Sequence, residues 1–164
     1  MNKINDCWQC DCYDEDYGCT MPSIDKLYAC PLKSGTIEFF IPMIPPTVTA
    51  QEHKVTIRNG KPIFYDPPEI KDAKQKILSG LYPHKPKEPF TDGVRLIVKW
   101  LFPKGRHKDG EYRTSKPDTD NLQKMLKDCM TKSGFWKDDA LVCSEICEKF
   151  WTDKSGIYIK VEKI

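Results

Sequence analysis

The chain has 164 residues, 39% hydrophobic and 30% charged, with a formal net charge of +2. That balance fits one globular domain and excludes a helical membrane protein, since no stretch approaches the roughly 18 apolar residues a spanning helix needs. The opening Met-Asn-Lys-Ile-Asn-Asp-Cys has no apolar leader run, so the expectation is a soluble, cytoplasmic protein.

Five of the eight cysteines (Cys7, Cys10, Cys12, Cys19 and Cys30) lie in the first 30 residues. Charge divides at the same place: residues 1–32 carry a net −4 and residues 33–164 a net +6. The chain therefore reads as a Cys-rich module over 1–32 and a basic body over 33–164. So short a module, poor in aliphatic residues, cannot bury enough apolar surface to fold alone. Disulfides are disfavoured inside cells, so the cluster predicts a tetrahedral zinc site with Cys7, Cys10, Cys19 and Cys30 as ligands and Cys12 able to replace any of them. Disulfides, reduced thiols and an iron–sulfur cluster are the alternatives. The module's acidity argues against contact with a DNA backbone and suits a role in stabilising a dimer or meeting a protein partner.

In the body, Thr36–Ile41 is β-branched and aromatic and predicts a strand that stops at Pro42. Residues 55–65 predict a hairpin around Asn59-Gly60. Ile70, Ala73, Ile77, Leu78 and Leu81 recur at helical spacing, and Pro83 ends that helix. Val94–Phe102 is a nearly continuous apolar run, which predicts a central strand buried on both faces. A basic loop follows over 103–116. Leu122, Met125, Leu126 and Cys129 then mark a helix over 119–131, stopped by Gly134. Residues 141–151 and 157–164 predict two final strands. The order β, hairpin, α, β, α, β, β is that of an α+β fold, a mixed sheet with helices on one face. Cys129, Cys143 and Cys147 fall inside these elements as small core or sheet residues.

The chemistry concentrates where the basic loop meets the second helix. Asp118 and Asp120 stand at the helix start, and Asp138 and Asp139 return after it. Oxygen ligands of this kind suit Mg²⁺, which takes one or two carboxylates with water and phosphate. Lys124 follows Asp120 by four residues on the same helical face, where it can meet a phosphate. Lys104, Arg106, Lys108, Arg113 and Lys116 are the candidates for neutralising a DNA backbone. The alternative is that the acids merely cap the helix and suit its dipole, in a zinc-containing nucleic-acid-binding protein without catalysis.

Lys116-Pro-Asp118-Thr-Asp120-Asn121-Leu122-Gln-Lys124, then Asp128, then Gly134-Phe135-Trp136-Lys-Asp138-Asp139-Ala-Leu-Val142, resembles the signature of the RusA family of Holliday junction resolvases, common in phages and prophages. The resemblance spans about residues 36–164. It implies a RusA-like fold and Mg²⁺- or Mn²⁺-dependent hydrolysis of branched DNA by a homodimer. It also implies Asp118, Asp120 and Asp139 as catalytic, metal-binding acids and Lys124 as an essential partner, with Asp138 matching an acid of lesser role. Other branched DNA, such as forks or flaps, would call on the same chemistry. The Cys-rich module is an addition to the family pattern.

Overall fold

A computed structural model describes residues 13–14, 18–19, 35–48, 54–58, 61–65 and 67–164. Two short strands, β1 (Tyr13–Asp14) and β2 (Gly18–Cys19), pair antiparallel near the start. Cys7, Cys10 and Cys30 lie outside the described residues, and Cys19 is placed only as the end of β2.

The body follows the predicted order: β3 (Thr36–Ile41), the hairpin strands β4 (Lys54–Arg58) and β5 (Lys61–Tyr65), α1 (Pro68–Leu81), β6 (Val94–Pro103), β7 (Glu111–Tyr112), α2 (Thr119–Ser133), β8 (Val142–Thr152) and β9 (Gly156–Lys163). In the hairpin Arg58 stands opposite Lys61, the two-residue connection that Asn59-Gly60 predicts. The short strand β7 arises within what sequence alone reads as loop.

The main sheet has the order β3-β9-β6-β8-β7. The β6–β8 pair is parallel and the others antiparallel, so the sheet is mixed, as expected. One face is buried. Phe39 and Ile41 of β3, Val94, Leu96, Val98, Trp100 and Phe102 of β6, and Ile157, Ile159 and Val161 of β9 join the apolar stripes of α1 and α2 in a single core. Both helices therefore pack on the same side.

The expectation that β6 is buried on both faces is corrected. Arg95, Ile97, Lys99 and Leu101 alternate onto the face without helices and stay partly or fully exposed. There Arg95 pairs with Glu162 at 3.8 Å, and Lys99 with Glu148 at 4.0 Å. A central strand is buried on both sides only when both faces of the sheet are covered, and among the described residues helices cover only one.

Two glycines fix the geometry for different reasons. Gly134 ends α2 at φ 86°. Its N–H donates to the carbonyl of Thr131 at 3.1 Å, and that of Phe135 to Met130 at 3.0 Å, a Schellman closure. Gly156 opens β9 against β3, where a Cβ would press on the Phe40 ring and come within 2.6 Å of the Ile41 carbonyl oxygen. Gly134→Ala meets no atom of the described residues but must adopt a left-handed backbone, at a cost of about 1 kcal/mol. Gly156→Ala collides with backbone and should cost more, about 2–3 kcal/mol. Urea unfolding of the two variants beside the parent checks this order.

Candidate active site

The parallel β6–β8 pair cannot be joined by a tight turn, so residues 104–141 cross from the end of one strand to the start of the other. This crossover holds every body residue singled out above for catalysis or DNA contact.

Its first part, 104–113, is pinned to β8 rather than free. The Lys104 N–H donates to the Thr152 carbonyl at 3.0 Å, Gly110 to Trp151 at 2.9 Å, and Arg113 to Lys149 at 2.8 Å. Lys104 Nζ also pairs with Asp153 at 2.7 Å, and that contact raises its pKa. His107 stacks on Trp151 with ring centroids 4.5 Å apart and meets Glu111 at 3.0 Å. The Glu111 carboxyl is held below its ordinary pKa by the Lys108 backbone N–H and then by His107.

The five basic candidates consequently separate. Arg106, Lys108 and Lys116 are exposed, and none forms an ion pair among the described residues. Lys104 is half-buried and paired. Arg113 turns inward: its guanidinium carbon lies 3.9 Å from the Phe102 ring centroid and 4.4 Å from that of Trp151. Burial draws its pKa below the ordinary arginine value.

Asp118 occupies the N-cap of α2, as the capping alternative predicts, but its side chain accepts no capping hydrogen bond. Its backbone carbonyl accepts from Leu122 at 3.2 Å, while its carboxylate faces solvent. Asp120 lies in the first turn, also exposed. Two exposed carboxylates, neither in an ion pair among the described residues, thus lie at the positive end of the helix dipole. Lys124 is exposed one turn on, between Asp120 and Asp128 in the i, i+4 row.

The intervening motif residues face inward. Asn121, Leu122 and Gln123 are buried, and Trp100 Nε1 donates to Gln123 Oε1 at 3.3 Å, tying α2 to β6. Phe135 and Trp136 are buried beyond Gly134, and Trp136 Nε1 donates to Thr131 Oγ1 at 2.8 Å. They anchor the chain before Asp138 and Asp139. Asp138 accepts the Ala140 N–H at 2.9 Å and so caps a 3₁₀ turn over Asp139–Leu141. Asp139, half-buried, makes no such bond.

The acids therefore form two sets. Pro117 lies beside Lys149, whereas Asp139 precedes Val142, seven residues earlier on β8 and about 23 Å away at 3.3 Å per strand residue. Among the described residues, no three His, Cys, Asp or Glu side chains stand close enough to hold one metal ion.

Sequence reasoning missed the residues that support α2's start. Cys147 Sγ lies 3.9 Å from the Thr119 carbonyl oxygen, and Lys149 Nζ donates to the carbonyls of Ser115 at 3.0 Å and Pro117 at 2.6 Å. Arg113 Nη2 donates to the Lys116 carbonyl between them. The available signal was the period of two in β8, which places Cys147, Lys149 and Trp151 on one face.

The family model of the endodeoxyribonuclease RusA matches residues 43–162. The crossover junction endodeoxyribonuclease rusA of Lactococcus phage r1t is 31% identical over 130 residues, covering 77% of this chain and 96% of its own. The uncharacterized protein YqaN of Bacillus subtilis strain 168 is 29% identical over 121 residues, covering 66% of this chain and 84% of its own.

Burial raises the thiol pKa of Cys129 to about 11 and of Cys147 to about 12. Both remain protonated at pH 8, and the thiolate is the nucleophile. Alkylation at pH 8 followed by peptide mapping should modify the exposed Cys143 well before either.

Proposed function

The chain belongs to the RusA family of endodeoxyribonucleases, and from that membership we propose that it resolves four-way DNA junctions by paired hydrolysis of phosphodiesters, using Asp118, Asp120, Asp139 and Lys124. The observation that supports this most directly is the Asp118 carboxylate, which sits at a helix N-cap without capping. A structural acid there would accept hydrogen bonds from the backbone N–H groups of α2.

The donors fit a hard divalent cation, for which one or two carboxylates with water and a substrate phosphate suffice. Asp118 and Asp120 would hold Mg²⁺ or Mn²⁺, which would supply an acidified water and neutralise charge on the phosphate. Lys124 adds a positive charge one helical turn from Asp120, toward the scissile phosphate. Arg106, Lys108 and Lys116 hold the DNA backbone beside the carboxylates. Of the Asp-Asp pair, Asp139 is the acid left available, since Asp138 is engaged with Ala140. Carboxylates repel one another until a cation and a phosphate are present. With Phe135 and Trp136 anchored in the core, convergence of Asp139 on the Asp118–Asp120 pair then requires the second chain of a homodimer. A twofold dimer also supplies the two sites that symmetric cutting needs.

Residues 33–164 are the nuclease domain in this reading, and 1–32 is an appended module stapled by zinc at Cys7, Cys10, Cys19 and Cys30. Elemental analysis of protein purified without added metal is expected to find about one zinc per chain, and less than about half would overturn the staple.

Asp120→Asn and Asp139→Asn should each lower Mg²⁺-dependent cleavage of a synthetic four-way junction about 100-fold or more while junction binding persists. Asp138→Asn, which can still cap, should leave most activity. Full cleavage by folded Asp120→Asn would sink the assignment. Mixing Asp120→Asn with Asp139→Asn chains restores one intact site only if Asp139 is contributed across the dimer. Binding should weaken steeply with salt, with a slope reduced by about 1 for each of Arg106 and Lys108 neutralised.

A further inference from the structure

Three residues on one face of β8 grip the chain that leads into α2. Cys147 faces the Thr119 carbonyl, Lys149 holds those of Ser115 and Pro117, and Trp151 packs against the guanidinium that holds Lys116. Three consecutive carbonyls, 115 to 117, are thus each claimed by a cation. Neither Lys149 nor Arg113 forms an ion pair with a carboxylate among the described residues. Both are withdrawn in part from solvent, and Arg113 is stacked against two rings.

We infer that Lys149 and Arg113 are positioning residues of the carboxylate site, fixing the backbone up to buried Pro117 so that Asp118 and the first turn of α2 present their acids in one direction. The inference rests on the reading of Asp118 and Asp120 as metal ligands. Its physical point is the choice of acceptor. A cation paired directly with Asp118 would orient the carboxylate but also neutralise it and compete with a metal. A cation bound to the preceding carbonyls orients the same residue and leaves its charge free. Two unlike cations also divide the work: the three ammonium protons of Lys149 span two carbonyls, and the planar guanidinium of Arg113 uses its edge for a third while its face rests on Phe102 and Trp151.

The test uses the full-length protein and two readouts. In metal-free protein, Lys149→Met should speed amide exchange over 116–122 while the core keeps its protection. In calorimetric titration with Mn²⁺, the same variant should bind about tenfold more weakly, the size of effect seen when a partner that orients a metal ligand is removed. Lys149→Arg, which can still donate to both carbonyls, should recover most of that affinity. Junction binding without divalent metal should hardly change. Unaltered Mn²⁺ affinity in folded Lys149→Met, or a loss confined to junction binding with a shallower salt slope, would overturn the inference. Should Lys149→Met not fold, Arg113→Lys carries the same test, because an ammonium keeps the charge but cannot stack as a planar group. Asp118→Asn separates the two levels: if it leaves Mn²⁺ binding intact the metal-site reading fails, and if it abolishes binding while Lys149→Met does not, only the positioning role fails.

Discussion

The parallel pairing of β6 with β8 is the constraint on which the rest of the molecule depends. Antiparallel partners can be joined by a short turn, but a chain leaving β6 at Pro103 must travel back along the strand before entering β8 beside Val94. That return is about 30 Å for a ten-residue strand. The fifteen residues of α2 cover about 22 Å of it. The basic segment therefore has to lie at one end of the crossover and the Asp138-Asp139 turn at the other. Within one chain this places Asp118 and Asp120 at the first end of α2 and Asp139 beyond its last.

Much of this was legible in the residues. Every element of the body that periodicity implied is present, and α2 and β6 differ from expectation by no more than two residues at an end. Local rules carry such features: apolar spacing, Pro83 after α1 and Gly134 after α2. The burial of β6 was misread because an apolar run gives composition, not what covers each face. Ile97 and Leu101 sit on the side that no helix of the described residues reaches, beside charged partners of β8 and β9. The two-residue strand β7 was invisible for a related reason. Its pairing with β8 comes from the way 104–113 is pinned to Trp151 and Lys149, and nothing in Glu111-Tyr112 announces it.

Charge was the least legible property. The body's surplus of cations suggested one basic surface, yet the cations divide by use. Lys104 is paired with Asp153, Lys127 with Glu145 at 2.9 Å, and Arg113 and Lys149 are spent on backbone carbonyls. Arg106, Lys108, Lys116 and Lys124, all in the crossover between β6 and β8, are left facing solvent. Counting lysines and arginines cannot make that division, because it depends on contacts such as Lys149 to Pro117, across 32 residues of sequence. A polyanion would feel Lys104 and Lys127 less than the exposed group, since charges already neutralised by a carboxylate at short range add little to the field at a distance.

The same division explains how a cluster of like charges is tolerated. Asp118 and Asp120 gain from the dipole of α2, but that gain is modest for exposed groups and is screened by salt. An isolated loop would relieve their repulsion by turning one acid away. Here the backbone before Asp118 is fixed by Lys149 and Arg113, and the backbone after it by a helix whose Gln123 is tied to Trp100. With both sides held, the backbone that carries the two carboxylates is fixed at the positive end of α2. The polar residues that sequence reading passes over as strand and core filler are those that keep the conspicuous acids unsatisfied.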